Sequence, residues 1–158
     1  MTITESTTVR RTIVVDAPAD KAFTFFTRDI GKWWNPDHHN LGEPVAEMVF
    51  EERVGGHIID RGESGAEQSW ATVLAFDPPR HVAFSWSIDL QWQIEPDLAK
   101  SSEVHVTFTP EADGRTRVEL EHRHLDRHGD GWESMRDAVG SPGGWSLEPF
   151  AKALAGAS

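Results

Sequence analysis

Apolar residues recur along this chain at two spacings, two and roughly three and a half, and the switch between them marks out the elements. In Val9–Val15, Val9, Ile13 and Val15 fall on one side and Arg10, Thr12 and Val14 on the other, the alternation of a strand. Asp16-Ala17-Pro18-Ala19-Asp20 reads as a helix start. Pro18 suits the first helical position, and Asp20 sits where the helix dipole favours an anion. Ala22, Phe23 and Phe26 share a face of the short helix that follows. A second short helical piece holds Ile30, Trp33 and Trp34 and ends before Pro36.

From Val45 onward the period is two. Val45–Glu52 and His57–Arg61 flank Val54-Gly55-Gly56, a turn or bulge signal. Ser69–Phe76 is stopped by Asp77-Pro78-Pro79-Arg80, a strong turn sequence. His81–Ile88 turns Val82, Phe84, Trp86 and Ile88 inward, and Leu90–Lys100 is a longer connection. Glu103–Thr109 places Val104, Val106 and Phe108 inside, and Arg115–His124 does the same with Val118 and Leu120. A glycine-punctuated turn follows. Ser141-Pro142-Gly143-Gly144-Trp145 then opens a helix, expected over Pro142–Leu154, with Leu147, Phe150, Ala151 and Leu154 on one face.

Strands joined by short turns imply an antiparallel sheet and an α+β fold. Its concave face needs a cover, which the C-terminal helix supplies, with a cavity expected between the two. Residues 1–158 read as a single domain with a frayed tail over 1–8. That tail is polar, unlike a signal peptide.

Composition narrows the function. The chain has 158 residues, with 7 Trp and 8 Phe to fill a core that is only 38% hydrophobic overall. With no cysteine there is no thiolate chemistry and no cysteine metal site. A formal charge of −11 repels phosphate backbones, which excludes nucleic acid as an expected partner, and an anionic membrane surface with it. No apolar run approaches the ~20 residues of a membrane span. A cytoplasmic location is expected.

Several motifs occur in one order: Val9-Arg10-Arg11-Thr12-Ile13, Ala17-Pro18 with Ala22-Phe23, Trp33-Trp34, Val54-Gly55-Gly56, Trp70-Ala71-Thr72-Val73-Leu74, Asp77-Pro78-Pro79-Arg80 and Gly143-Gly144-Trp145. As a set they resemble the activator of heat-shock-protein-90 ATPase homologue family, within the START-like, birch-pollen-allergen-like helix-grip superfamily. The resemblance spans Val9 to Leu154. It implies a curved antiparallel sheet of six or seven strands gripping a long C-terminal helix around an apolar pocket. It also allows a homodimer. It does not imply one activity, because the superfamily includes lipid carriers, hormone receptors, polyketide aromatases and cyclases, and chaperone regulators.

The candidate chemistry is an inward aromatic set: Phe84, Trp86, Phe108, Trp145 and Phe150, with Trp33, Trp34 and Trp70. These residues either line a pocket for a flat or greasy molecule or simply pack as core. His122 shares the inward side of its strand with Val118 and Leu120. It is the best polar anchor for a ligand, whereas His124 belongs at the rim. A His-x-His metal site lacks a third inward ligand, so no metal or cofactor is expected. His38 and His39 fall in a loop. Glu47, Glu51, Glu52 and Asp60 are expected on charged outer faces. No nucleophile elbow, phosphate loop or dinucleotide fingerprint is present.

The expected function is binding of a small hydrophobic or aromatic molecule by Trp33, Trp34, Trp70, Phe84, Trp86, Phe108, Leu120, His122, Trp145 and Phe150, with no catalytic residue assigned. A cyclase, aromatase or hydratase acting in the same cavity is the alternative. A chaperone-interaction module is the third.

Overall fold

The structure is a computed structural model that describes residues 7–34, 41–141 and 145–156. Among these residues seven strands form one antiparallel sheet: β1 (Val9–Val15), β2 (Val45–Phe50), β3 (His57–Gly62), β4 (Glu67–Asp77), β5 (His81–Trp86), β6 (Ser102–Pro110) and β7 (Thr116–Arg123). Their spatial order is β1-β7-β6-β5-β4-β3-β2. The first strand therefore closes onto the last, and Val9 faces His122 across that pair. Helix α1 (Ala19–Thr27) and a short 3-10 turn (Ile30–Lys32) follow β1, as the sequence pattern anticipates. Pro18 lies one place earlier than expected, as the extended residue before α1, and its carbonyl accepts from the Ala22 amide at 3.0 Å.

The inward face follows the period of two. Val82, Phe84, Val104, Val106, Val118, Leu120 and His122 are all fully buried. Helix α1 lies on this face through edge-to-face ring contacts of Phe23 and Phe26 with Phe108. Between β2 and β3, Gly55 takes a φ of +86°, and a Cβ on Gly56 would stand 2.7 Å from the Glu51 Cβ. That corner accordingly demands the glycine pair.

The last quarter of the chain departs from expectation. The glycine-punctuated turn contains a 3-10 turn (Leu125–His128) and a helix, α2 (Trp132–Val139). Helix α2 buries Met135 and Val139. The C-terminal helix α3 spans Glu148–Gly156 and is shorter than Pro142–Leu154. Leu147 precedes it and accepts from the Ala151 amide at 3.0 Å. Pro149 is tolerated in the first turn, where amides lack intrahelical partners anyway. Phe150 and Leu154 are the buried face of α3, which packs against α1 and β1.

Trp145 therefore does not belong to the helix. It sits in the connection between α2 and α3, and Arg11 of β1 holds it there. The Arg11 guanidinium donates from Nε to the Trp145 carbonyl at 3.1 Å and from Nη2 to the Gly140 carbonyl at 2.7 Å. Arg11 lies on the same side of β1 as Val9 and Ile13, so its cation is directed at the backbone end of α2. A cation is favourable there, next to unpaired helix carbonyls.

Candidate functional site

The expected site residues separate into two groups. Phe108 and Phe150 meet around Phe26, at ring-centroid distances of 5.8 and 5.3 Å, and Trp33 joins Phe150 at 5.5 Å. This group is deep core. Trp86, His122 and Trp145 converge elsewhere, with centroids 5.4 to 6.1 Å apart. Trp33 and Trp34, in contact at 5.6 Å, bridge the two groups.

Around Trp86 and Trp145 the indoles close a circuit. Trp34 touches Trp70 at 5.2 Å, Trp70 touches Trp86 at 5.7 Å, Trp86 touches Trp145 at 5.7 Å, and Trp145 returns to Trp34 at 5.7 Å. Phe84 backs Trp70 in an edge contact at 5.9 Å. Trp70 and Trp145 are buried, whereas Trp34 and Trp86 are half-buried. Leu120 is fully buried one inward position from His122 on β7.

Among the described residues, two buried polar atoms on this face have no partner. The Trp86 Nε1–H is buried and donates to nothing, and Gln68 Oε1, two residues before Trp70, is buried and accepts nothing. Leaving a buried donor or acceptor unmade costs about 1–3 kcal/mol. Asp60, the strand partner of Gln68, is also inward and buried. That corrects its expected place on an outer face. The Ile58, Asp60, Gly62 alternation carries it inside with Ile58. Neither Gln68 nor Asp60 stands out by composition, but the same period of two would have found both.

His122 is fully buried, and its hydrogen bonds have one direction. Trp145 Nε1–H donates to His122 Nδ1 at 2.9 Å. An indole nitrogen only donates, so Nδ1 is bare and Nε2 carries the proton. His122 Nε2 donates to Ser102 Oγ at 2.7 Å, and the Ser102 hydroxyl donates to His128 Nε2 at 2.7 Å. His128 then holds its proton on Nδ1, which is buried and unpartnered. Register builds this chain: Ser102 lies opposite Trp86 and Val104 opposite His122, at one end of three neighbouring strands. The 3-10 turn after β7 brings His128 back over Ser102. Burial, followed by the nearby His128, pushes the His122 imidazole down to about 3, so it is neutral in the folded protein. His128 is also lowered by burial, against the pull of Glu95 and Asp89.

His124 points outward, exposed, with a φ of 61°. His38 and His39 lie outside the described residues. Among the described residues no cluster of three His, Asp or Glu has metal-site geometry. On the opposite face of the sheet, a 370 Å³ depression is bordered by Leu98, Ser85, Ser101 and the Glu103–Arg127 pair. Its hydroxyls are already used. The Thr72 amide donates to Ser85, the Ser85, Ser87 and Ser101 hydroxyls follow in series, and Ser101 donates to the Asp97 carbonyl. That series fastens the long connection to the sheet.

A seven-stranded antiparallel sheet closed over helices, with its polar groups buried between them, is the START-like helix-grip architecture. The chain belongs to the family described as Activator of Hsp90 ATPase homolog 1-like protein, whose model matches residues 16–147. Among solved structures it is similar to "An anthrahydroquino-Gama-pyrone synthase Txn09 complexed with SUM", with 39% identity over 92% of this chain and 96% of that one and a TM-score of 0.66. It is also similar to the self-sacrificing resistance protein CalC from Micromonospora echinospora, with 27% identity over 96% of each chain and a TM-score of 0.71. Protein NE0264 from Nitrosomonas europaea, 12% identical over the whole of both chains with a TM-score of 0.66, shares the fold. No curated protein matches the chain. No helix among the described residues is long and apolar enough to cross a membrane.

Proposed function

We propose that the protein binds a flat, fused-ring aromatic molecule bearing carbonyl and hydroxyl oxygens at the indole circuit. Trp34, Trp70, Trp86 and Trp145 stack on its rings, Phe84 and Leu120 form the floor, and His122 is the polar anchor behind Trp145. Phe108, Phe150 and Trp33 support the site from the core. The observation that carries this reading is the unpartnered Trp86 Nε1–H inside an otherwise apolar wall. A ligand carbonyl satisfies that donor, and a ligand hydroxyl satisfies Gln68 Oε1. Few, placed polar groups in an aromatic pocket are what small-molecule sites use for orientation. The 39% identity to a synthase of an anthrahydroquino-pyrone supports the same ligand chemistry.

Calorimetric titration with a dihydroxyanthraquinone sulfonate and with the corresponding anthracene sulfonate tests this. Saturable one-to-one binding, tighter for the quinone, is expected. Absence of saturable heat for either compound overturns the site. Equal affinity for both overturns the polar anchors.

The His122–Ser102–His128 series favours a second reading, an enzyme of the cyclase type in which the bound ring system loses and regains a proton. Its sign is a change of ligand mass or spectrum on incubation with the protein, absent when His122 is replaced by Leu.

A further inference from the structure

The buried imidazole presents a chemical problem. A base held neutral this strongly cannot keep a proton taken from a ligand, and among the described residues no carboxylate acts on it to share the proton. The hydrogen-bond series supplies an exit. Each link is 2.7 Å long, each group is able both to accept and to donate, and the outer member is half-buried as a residue, with its Nδ1–H buried and unused.

We propose that His128 is the proton-exchange terminus of the site, connected to His122 through the Ser102 hydroxyl. When the Trp145 indole turns from His122, a proton arriving at His122 Nδ1 displaces the one on Nε2 to Ser102 Oγ. The Ser102 proton moves to His128 Nε2, and the His128 Nδ1–H, buried at rest, leaves to solvent when the half-buried ring next opens. One proton enters and one leaves, no bond to carbon changes, and both imidazoles finish neutral in the opposite tautomer. No charge rests in the buried site, which accommodates the depressed basicity of His122. Asp89 and Glu95, from the long connection after β5, face His128 and draw the departing proton outward. His128 in turn acts on His122, and the repulsion between the two imidazoles disfavours charging both. What the proton serves rests on the ligand site proposed above; in the free protein the entering proton comes from water that reaches His122 Nδ1 while Trp145 is turned away, so the relay is measurable there.

The test is the solvent exchange rate of the His122 Nε2–H, followed by nitrogen-15 NMR on the full chain. His128→Gln keeps an amide that can bond Ser102 but cannot pass a proton, and its half-buried position tolerates the change. Ser102→Ala removes the middle link. Exchange slowed by about 10²-fold in both variants is expected, the lower end of what positioned proton transfer contributes. Backbone amide protection should be unchanged in His128→Gln. Unaltered exchange in both variants shows that the proton leaves by opening of the core, and the relay is wrong. Slowing in Ser102→Ala alone removes His128 as the terminus. The quinone titration separates the two ideas: wild-type protein that binds no quinone but shows relay-dependent exchange defeats the ligand site and leaves the relay standing.

Discussion

The indole of Trp145 donates to Nδ1 of His122 across 2.9 Å, from a connection rather than from the helix that follows it. One donor that cannot accept thus fixes the tautomer of the imidazole, and through Ser102 that of His128. The aromatic cluster and the polar series are one construction, since the indole that completes the ring contacts also orients the hydrogen bonds.

The first consequence is a pH dependence of stability. Burial pushes the His122 imidazole down to about 3 from its ordinary 6.5. Between those values the unfolded chain binds the proton and the folded one does not, so stability rises with pH. The contribution is complete above pH ~6.5 and is lost as pH falls toward ~3, amounting to about 5 kcal/mol by linkage. His81 and His128 are shifted in the same direction and add to the slope. Urea denaturation of wild type and His122→Gln from neutral to acid pH checks this. The variant should be the less stable at neutral pH and lose much less stability on acidification. Parallel curves would show that His122 is already charged when folded.

Phe150 tests the core beneath the site. Its ring is fully buried and meets Phe26 at 5.3 Å, Trp33 at 5.5 Å and Phe25 at 6.2 Å. Phe150→Ala should destabilise by ~3–5 kcal/mol, as large-to-small changes in packed aromatic cores do. An unshifted denaturation midpoint would mean that α3 is peripheral to the core.

Most of the sheet was legible because alternation survives wherever one face is buried. Val104, Val106, Phe108, Val118, Leu120 and His122 all lie inward as the period requires. The last quarter was less legible for a local reason. Gly129 and Gly131, with φ of 88° and 91°, read as a turn, and they are one. They also introduce α2, whose Trp132, Met135 and Val139 keep helical spacing in a run too short to announce itself. The glycines before Trp145 suggest a helix entry and so place it in the helix, whereas Pro149 marks where the helix can begin. The hydrogen bonds were not legible at all. Ser102 and His128 are ordinary residues in sequence, and only the register of β5, β6 and β7 brings them to His122. Arg11 carries no signal in the sequence, because an arginine on an apolar strand face resembles an exposed one until its target carbonyls exist.

Arg11 carries its own expectation. It ties β1 to both the end of α2 and the Trp145 carbonyl. Arg11→Leu preserves much of the apolar stem but leaves two carbonyls without their charged donor. Hydrogen bonds to charged groups contribute about 1.5–3 kcal/mol, so a loss in that range is expected. Tryptophan emission should change with it, because Trp145 loses its backbone tether. Full stability with unaltered emission would show that the connection is held by the Trp145 amide, which donates to the Val139 carbonyl at 2.6 Å.

Trp86→Phe separates ring stacking from hydrogen bonding at the proposed site. Phenylalanine keeps an aromatic face beside Trp70 and Trp145 but has no N–H. Some stacking area is lost for every ligand, so absolute affinity is a poor readout. The ratio of affinities for the dihydroxyanthraquinone and anthracene sulfonates is better, because the lost area affects both compounds and cancels as in a double-mutant cycle. A bond from the indole N–H to a quinone carbonyl contributes about 1 kcal/mol net, hence a loss of roughly fivefold in that ratio. Gln68→Leu should reduce it too, for ligands with a free hydroxyl only. Because the Trp86 donor is unpartnered without ligand, the substitution removes no hydrogen bond from the free protein. A reduced ratio therefore reports the complex and not a damaged fold. A ratio unchanged in Trp86→Phe would place the quinone oxygens elsewhere and leave the buried indole N–H without a function.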